Sequence, residues 1–275
     1  MKNSLVMHYK LICSDIDGTL LDVNRKLSSK TIESVKRIHP SIPFILVSSR
    51  MPKSIRLLQK ELDTYDSPLI AYNGALIIGK HGKVINSIEI PFSITNQICT
   101  FLPDNSVHFS LYNQDEWLVP SIDYWAKREQ NNTRVSPEVR PLSETLSLWK
   151  KNQKGAHKIM AMGKASELNQ VESFIIKTFK DQVNFYRSKD TYLEISNKKT
   201  DKASALKYLL TKIYPHLKMN DVMAFGDNHN DKTMLEQVGL GIAVANAKSE
   251  ILACASFHTL TNHNHGVALA IEKYN

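Results

Sequence analysis

The chain has 275 residues, 42% of them hydrophobic and 23% charged, with a formal charge of +8, a composition that fits a globular protein and excludes intrinsic disorder. The positive charge is spread along the chain without a basic arm, an aromatic RNA-binding signature or a zinc-finger spacing, so no nucleic-acid partner is expected. No apolar run approaches the ~18 residues of a membrane span, Met1 to Lys10 has no apolar leader-like core, and Cys13, Cys99 and Cys254 lie far apart in apolar or helical contexts, which predicts a cytoplasmic protein with reduced thiols and no membrane partner.

Leu11 to Cys13 is a short apolar run that reads as a buried parallel strand, and it leads into Ser14-Asp15-Ile16-Asp17-Gly18-Thr19. Strand periodicity places Asp15 and Asp17 on one face and Ile16 on the other. Two carboxylates in one small space repel, and a shared cation lets both stay ionised. Gly18 permits a sharp exit. Ser28 or Ser29 caps a helix through Ile32, Val35 and Ile38, and Pro43 to Val47 is a second buried strand that ends on Ser48, Ser49 and Arg50. Pro52 opens a helix through Ile55, Leu58 and Leu62, and Pro68 to Tyr72 is a third strand that runs into Asn73-Gly74. Ala75 to Ile78 and Val84 to Ile88 then flank Gly79-Lys80-His81-Gly82 as a hairpin. Alternation of strand and helix is the signature of a parallel α/β sheet.

Around Lys83 the character changes. Val107 to Tyr112, Trp117 to Pro120, His157 to Met162 and Tyr192 to Ile195 read as strands, Glu167 to Phe179 as a helix, and Lys127 to Arg140 is polar without clear periodicity. From Lys202 the alternation resumes, with a helix through Leu206, Leu209 and Leu210 and the strand Val222 to Phe225, which ends on Gly226-Asp227-Asn228-His229-Asn230-Asp231. A helix through Met234, Leu235 and Val238, a strand Gly241 to Val244, a helix near Lys248 to Ala253, a strand Phe257 to Leu260 and a helix from Gly266 follow. An insertion therefore interrupts the sheet.

Tips of neighbouring parallel strands share one edge, so Asp15 and Asp17, Ser48 and Ser49, and Asp227, Asn230 and Asp231 can converge there. Several carboxylates in one crevice suit a hard, oxygen-liganded cation, Mg2+ better than Zn2+. Ser48 and Lys202 supply a hydroxyl and an ammonium suited to phosphoryl oxygens. Arg50 leaves two readings open, a substrate contact and a salt bridge within the core. His258, His263 and His265 raise a metal reading that their loop setting disfavours. Arg134, Lys154 and Lys158 are available to an anionic substrate, and Trp117, Trp125 and Trp149 read as core of the insertion.

Asp15-Ile16-Asp17-Gly18-Thr19-Leu20-Leu21, Ser48-Ser49-Arg50, Lys202 and Gly226-Asp227-Asn228-His229-Asn230-Asp231, in that order, resemble the four motifs of the haloacid dehalogenase superfamily. The chain is most similar to its Cof-like phosphatases, with an α/β cap inserted after the third core strand. The resemblance implies an α/β fold in which a Rossmann-like parallel-sheet core, 1–82 and 190–275, carries an inserted α+β cap at 83–189. It implies a Mg2+-dependent phosphoric monoester hydrolase that acts on a small phosphorylated metabolite, such as a sugar phosphate, through an aspartyl-phosphate, with the cap closing over the core.

In that reading Asp15 is the nucleophile and a metal ligand. Asp17 is the general acid and base, giving the metal only its backbone carbonyl and keeping its side chain free for proton transfer. Asp227 is a metal ligand, and Asp231 orients Lys202 and lies in the metal's outer shell. Ser48, Lys202, Asn230 and the backbone of Ile16 and Ser49 bind the phosphoryl oxygens. Ser48 stands where the family often has Thr, Ser49 where it has Gly, and Lys199 and Ala203 replace glycines usual around the motif lysine. A phosphomutase of the same superfamily and a receiver-like phospho-ligand sensor are the alternatives.

Overall fold

The computed structural model describes residues 9–103 and 106–274; of the leader reading on Met1 to Lys10, positions 1–8 lie outside the described residues. The chain divides into two compact units, 1–85 with 201–275, and 86–200.

The first unit opens with β1 (Leu11–Ser14), α1 (Ser29–Ile38), β2 (Phe44–Val47), α2 (Pro52–Leu62), β3 (Leu69–Ala71), β4 (Leu76–Ile78) and β5 (Val84–Ser87). β1, β2 and β3 are short and buried along their whole length, as strands covered on both faces must be. Ser28 caps α1 by accepting the Thr31 N–H, and Pro52 opens α2 where a missing N–H costs nothing.

The inserted unit runs through α3 (Phe92–Cys99), β6 (His108–Asn113), β7 (Glu116–Val119), α4 (Tyr124–Thr133), β8 (Glu138–Val139), α5 (Leu142–Lys151), β9 (Lys158–Met162), α6 (Ala165–Phe179), β10 (Val183–Lys189) and β11 (Tyr192–Asn197). Its six strands form one mainly antiparallel sheet in the order β10-β11-β9-β6-β7-β8. Phe109, Leu111, Ile159, Ala161, Leu193 and Ile195 share a core with Leu168, Val171 and Ile175 of α6 and with Trp149.

α7 (Lys202–Ile213), β12 (Val222–Gly226), α8 (Lys232–Gln237), β13 (Leu240–Val244), α9 (Ser249–Cys254), β14 (Phe257–Thr259) and α10 (Gly266–Tyr274) complete the first unit. Its eight strands are ordered β14-β13-β12-β1-β2-β3-β4-β5. β1 is central, parallel to β12 with Leu11 opposite Val222 and to β2 with Ile12 opposite Phe44. The order reverses direction at β1, the position where open α/β sheets bind ligands beyond the strands' carboxyl ends.

Two expectations need correction. The second boundary falls at 200/201 rather than 189/190, because β11 pairs with β9 and β10 inside the inserted sheet. The segment read as irregular, Lys127 to Arg140, contains most of α4, whose start is capped by the Asp123 carboxylate accepting the Ala126 N–H. α4 buries only Ala126, so it carries no apolar stripe for periodicity to reveal. Among the described residues, no helix is long and apolar enough to cross a membrane, and all three cysteines are free.

Candidate active site

β1 ends at Ser14, so strand alternation no longer dictates which way Asp15 and Asp17 face. Asp15 is 5% exposed and its N–H donates to the Phe225 carbonyl at 3.0 Å. Beyond it the chain curls, with Leu20 and Leu21 N–H both donating to the Ile16 carbonyl at 3.0 Å. Ile16 is wholly buried. Gly18 makes the turn at φ +85°, and a Cβ there would collide with the Asp227 carboxylate; no other residue fits both the backbone and the space.

Lys202 opens α7, capped by Asp201, and its ammonium is fully buried. It donates to Asp15 Oδ1 at 2.6 Å and to Asp231 Oδ1 at 2.7 Å. Asp231 Oδ2 accepts the N–H groups of Asp227 and Asn228 at 3.0 and 3.1 Å, so both its oxygens are engaged. Asp227 Oδ1 accepts the Thr19 hydroxyl at 2.9 Å.

One oxygen from each of Asp15, Asp227 and Asp231 lies within 4.8 Å of the others. Burial pushes the Asp15 carboxyl well above the usual carboxylate range, and the charges of Asp231 and Asp227 push the same way against Lys202. Burial, then Asp231, pushes Asp227 up to about 6. Burial alone would lower the Lys202 pKa, but Asp15 and Asp231 raise it above its ordinary value. Three carboxylates thus face one ammonium. This all-oxygen, charge-deficient cluster fits a hard divalent cation.

Asp17 is a half-buried carboxylate in the turn, and its side chain is not free. Arg50 Nε donates to its Oδ2 at 2.6 Å and Arg50 Nη2 to its Oδ1 at 2.7 Å, with Arg25 Nη1 at 3.1 Å from Oδ1. Of the two sequence readings of Arg50, the ion pair is the one present. Arg25 carried no signal in the sequence, because only the turn after β1 brings it back toward Asp17.

Ser48, 1% exposed, follows β2, and Ser49 beside it is half-buried. The Ser48 hydroxyl accepts the Arg50 N–H at 3.2 Å, and its carbonyl accepts the Asn73 N–H at 2.9 Å. Asn230 is exposed and its amide donates to Asn73 Oδ1 at 2.9 Å. Asn73 lies in a left-handed corner, Tyr72, Asn73 and Gly74 all having positive φ. Asn73 therefore joins two of the expected phosphate-binding segments. Asn246 Nδ2 donates to the Gly18 carbonyl at 2.7 Å while its Oδ1 accepts the Asn262 N–H, and Asn262 Nδ2 donates to the Leu21 carbonyl.

The family model for haloacid dehalogenase-like hydrolases matches residues 12–271. The chain belongs to that family. A Haemophilus influenzae protein named "Putative phosphatase" is 33% identical over 97% of this chain and 98% of its own. The crystal structure of a haloacid dehalogenase-like hydrolase from Bacteroides thetaiotaomicron superposes with a TM-score of 0.87 at 28% identity, covering 97% of this chain and all of that one. A Thermotoga maritima crystal structure gives 0.85 at 28%, covering 96% and 97%.

The other residues singled out in the hydrolase's sequence make contacts within the chain. His258 bonds to the Leu252 carbonyl, His265 to the Ser28 hydroxyl and His263 to Asn262, so each histidine has its own partner. Trp149 and Trp117 are buried and Trp125 packs edge-on against Tyr192. Lys154 pairs with Glu116 at 2.6 Å, Lys158 lies 4.7 Å over the Tyr112 ring, and Arg134 ends α4 in the left-handed conformation. In the inserted unit, His108 bonds to Asp123 at 2.7 Å and to Ser110 at 3.0 Å. The order looks like a hydrolytic triad, but Ser110 is wholly buried and Asp123 also caps α4. It fastens β6 to α4.

Proposed function

We propose that this hydrolase is a Mg2+-dependent phosphatase that cleaves a small phosphorylated metabolite, with sugar phosphates the leading class, through an aspartyl-phosphate on Asp15. The buried Lys202 ammonium held between Asp15 and Asp231, with Asp227 alongside, carries the reading.

Lys202 favours the ionised form of Asp15 against the effect of burial and holds the carboxylate in place, as a nucleophile requires. An Asp15 oxygen attacks phosphorus, the bond from phosphorus to the leaving oxygen breaks, and Asp17, protonated on an oxygen that has let go of its arginine N–H, gives the leaving oxygen its proton. Water then attacks phosphorus and loses a proton to Asp17, the bond to Asp15 breaks, and inorganic phosphate departs. Lys202, Ser48, Asn230 and the backbone N–H groups of Ile16 and Ser49 serve as donors to the phosphoryl oxygens. Asp15, Asp227 and the Asp17 carbonyl would hold Mg2+, with Asp231 in the outer shell. When bound, the ion neutralises charge on the transferring group.

Phosphate release from p-nitrophenyl phosphate and a sugar-phosphate panel, with Mg2+ and with EDTA, tests the reading. Mg2+-dependent release that Asp15→Asn abolishes is expected. Equal release by Asp15→Asn, or none from any ester, overturns it, and an isomerised ester without free phosphate marks a mutase.

A further inference from the structure

Asp17 lies beyond the end of β1, in a turn, with 38% of its side chain exposed. A half-exposed carboxylate on a turn has several rotamers open to it, yet this one must meet a leaving oxygen within hydrogen-bond reach. What fixes it is the guanidinium of Arg50, whose side chain is only 6% exposed. The fork contacts both carboxylate oxygens, at 2.6 and 2.7 Å, and so sets the plane of the carboxylate as well as its position.

The fork is itself anchored. Arg50 Nη1 donates to the Ser54 hydroxyl at 3.2 Å, its N–H to the Ser48 hydroxyl at 3.2 Å, and its carbonyl accepts the Tyr72 N–H at 3.2 Å. These contacts tie the guanidinium to α2 and the Arg50 backbone to the tips of β2 and β3. Arg25, 49% exposed, adds a third contact from the following turn, where its backbone N–H donates to the Asp22 carbonyl.

We propose that Arg50 is a positioning residue: it sets the direction in which Asp17 presents its carboxyl to the leaving oxygen, with Arg25 as a weaker second hold. The inference rests on the phosphatase reading and adds a residue to it. An Arg that acts through the proton donor matters most where the leaving group needs a proton. An alkoxide leaving from a sugar phosphate needs one, and p-nitrophenolate does not.

The test compares kcat and KM on p-nitrophenyl phosphate and on a hexose phosphate for the wild type, Arg50→Ala, Arg50→Lys and Arg25→Ala. Arg50→Ala is expected to lower kcat on the hexose ester by about 100-fold and on the aryl ester by less than about tenfold, with KM little changed. Added guanidinium restores part of the loss in Arg50→Ala. Arg50→Lys, which lacks the fork, keeps the ester-dependent split. Arg25→Ala, on the surface, lowers kcat on the hexose ester by at most about fivefold.

Equal losses on the two esters, or a loss confined to KM, overturn the proposal. If Arg50→Ala does not fold, the split in Arg50→Lys decides on the same terms. A wild type that releases phosphate from neither ester defeats the phosphatase reading itself, a result distinct from equal losses in the variants.

Discussion

Lys202 donates to Asp15 at 2.6 Å across 187 positions of sequence, and its ammonium is fully buried. Lys202→Met leaves the carboxylates of Asp15, Asp227 and Asp231 without that cation, and breaking a buried pair in this way costs about 3–5 kcal/mol. Urea denaturation of metal-free protein at neutral pH measures it. Adding Asp231→Asn to Lys202→Met removes one of the stranded charges and is expected to recover part of the loss; a double variant no more stable than the single one would contradict the pairing.

Gly18→Ala forces a Cβ toward the Asp227 carboxylate at a backbone φ of +85°. The variant is expected to lose at least about 1 kcal/mol of stability. The Mg2+ concentration that half-stabilises it in a thermal-shift titration is expected to rise, because Asp227 must turn away. An unchanged Mg2+ midpoint would show that Asp227 does not hold the ion.

His157 reports on the inserted unit. It is fully buried, its Nδ1 accepts the Gln114 N–H at 3.2 Å and its Nε2 lies 2.9 Å from the Ser87 hydroxyl, so the ring is neutral with the proton on Nε2. Burial depresses its pKa to about 4, against the charge of Glu89 and with that of Lys154. Between about pH 6.5 and 4 the unfolded chain therefore binds the proton that the folded unit refuses. The contribution is present above pH 6.5 and falls away as the pH drops through that window, by about 3 kcal/mol in all. Denaturation of wild type and His157→Gln from pH 7.5 to 4.5 checks it: the wild type should lose stability more steeply.

Asn246→Ala removes the donor to the Gly18 carbonyl and the acceptor for Asn262. About 1 kcal/mol of stability is at stake. Hydrogen exchange is expected to speed up in 18–22 while β1 stays protected.

The strands that build the site were legible because a strand buried on both faces is an unbroken apolar run: the runs read from Leu11 and Val222 begin where the observed strands begin, and the run read from Pro43 begins one residue before its strand. Asp15, Asp227 and Asp231 were legible together because strand tips on one sheet edge can converge, and Lys202 joined them only through the whole set of motifs. The fate of the Asp17 side chain was not. Period-two reasoning holds only as long as the strand, which stops at Ser14, and the ion pair with Arg50 depends on how tightly the turn after it coils. α4 and β10 escaped the sequence reading, α4 because it has a single buried residue, while β11 was read as a strand but grouped with the core because its pairing with β9 is not visible in the local sequence.

The central place of β1 also imposes an order in time. Its neighbours are β2, made soon after it, and β12, which follows the whole inserted unit. A nascent chain that has emerged only as far as residue 200 has β1 with one edge unpaired and Asp15 without its ammonium. Closing that edge brings Lys202, Asp227 and Asp231 in together, late and at high loop-closure cost. Pairing of β1 and assembly of the carboxylate–ammonium cluster therefore happen in the same event, and a product truncated at residue 200 is left with a sticky strand edge and an Asp15 that lacks Lys202, Asp227 and Asp231.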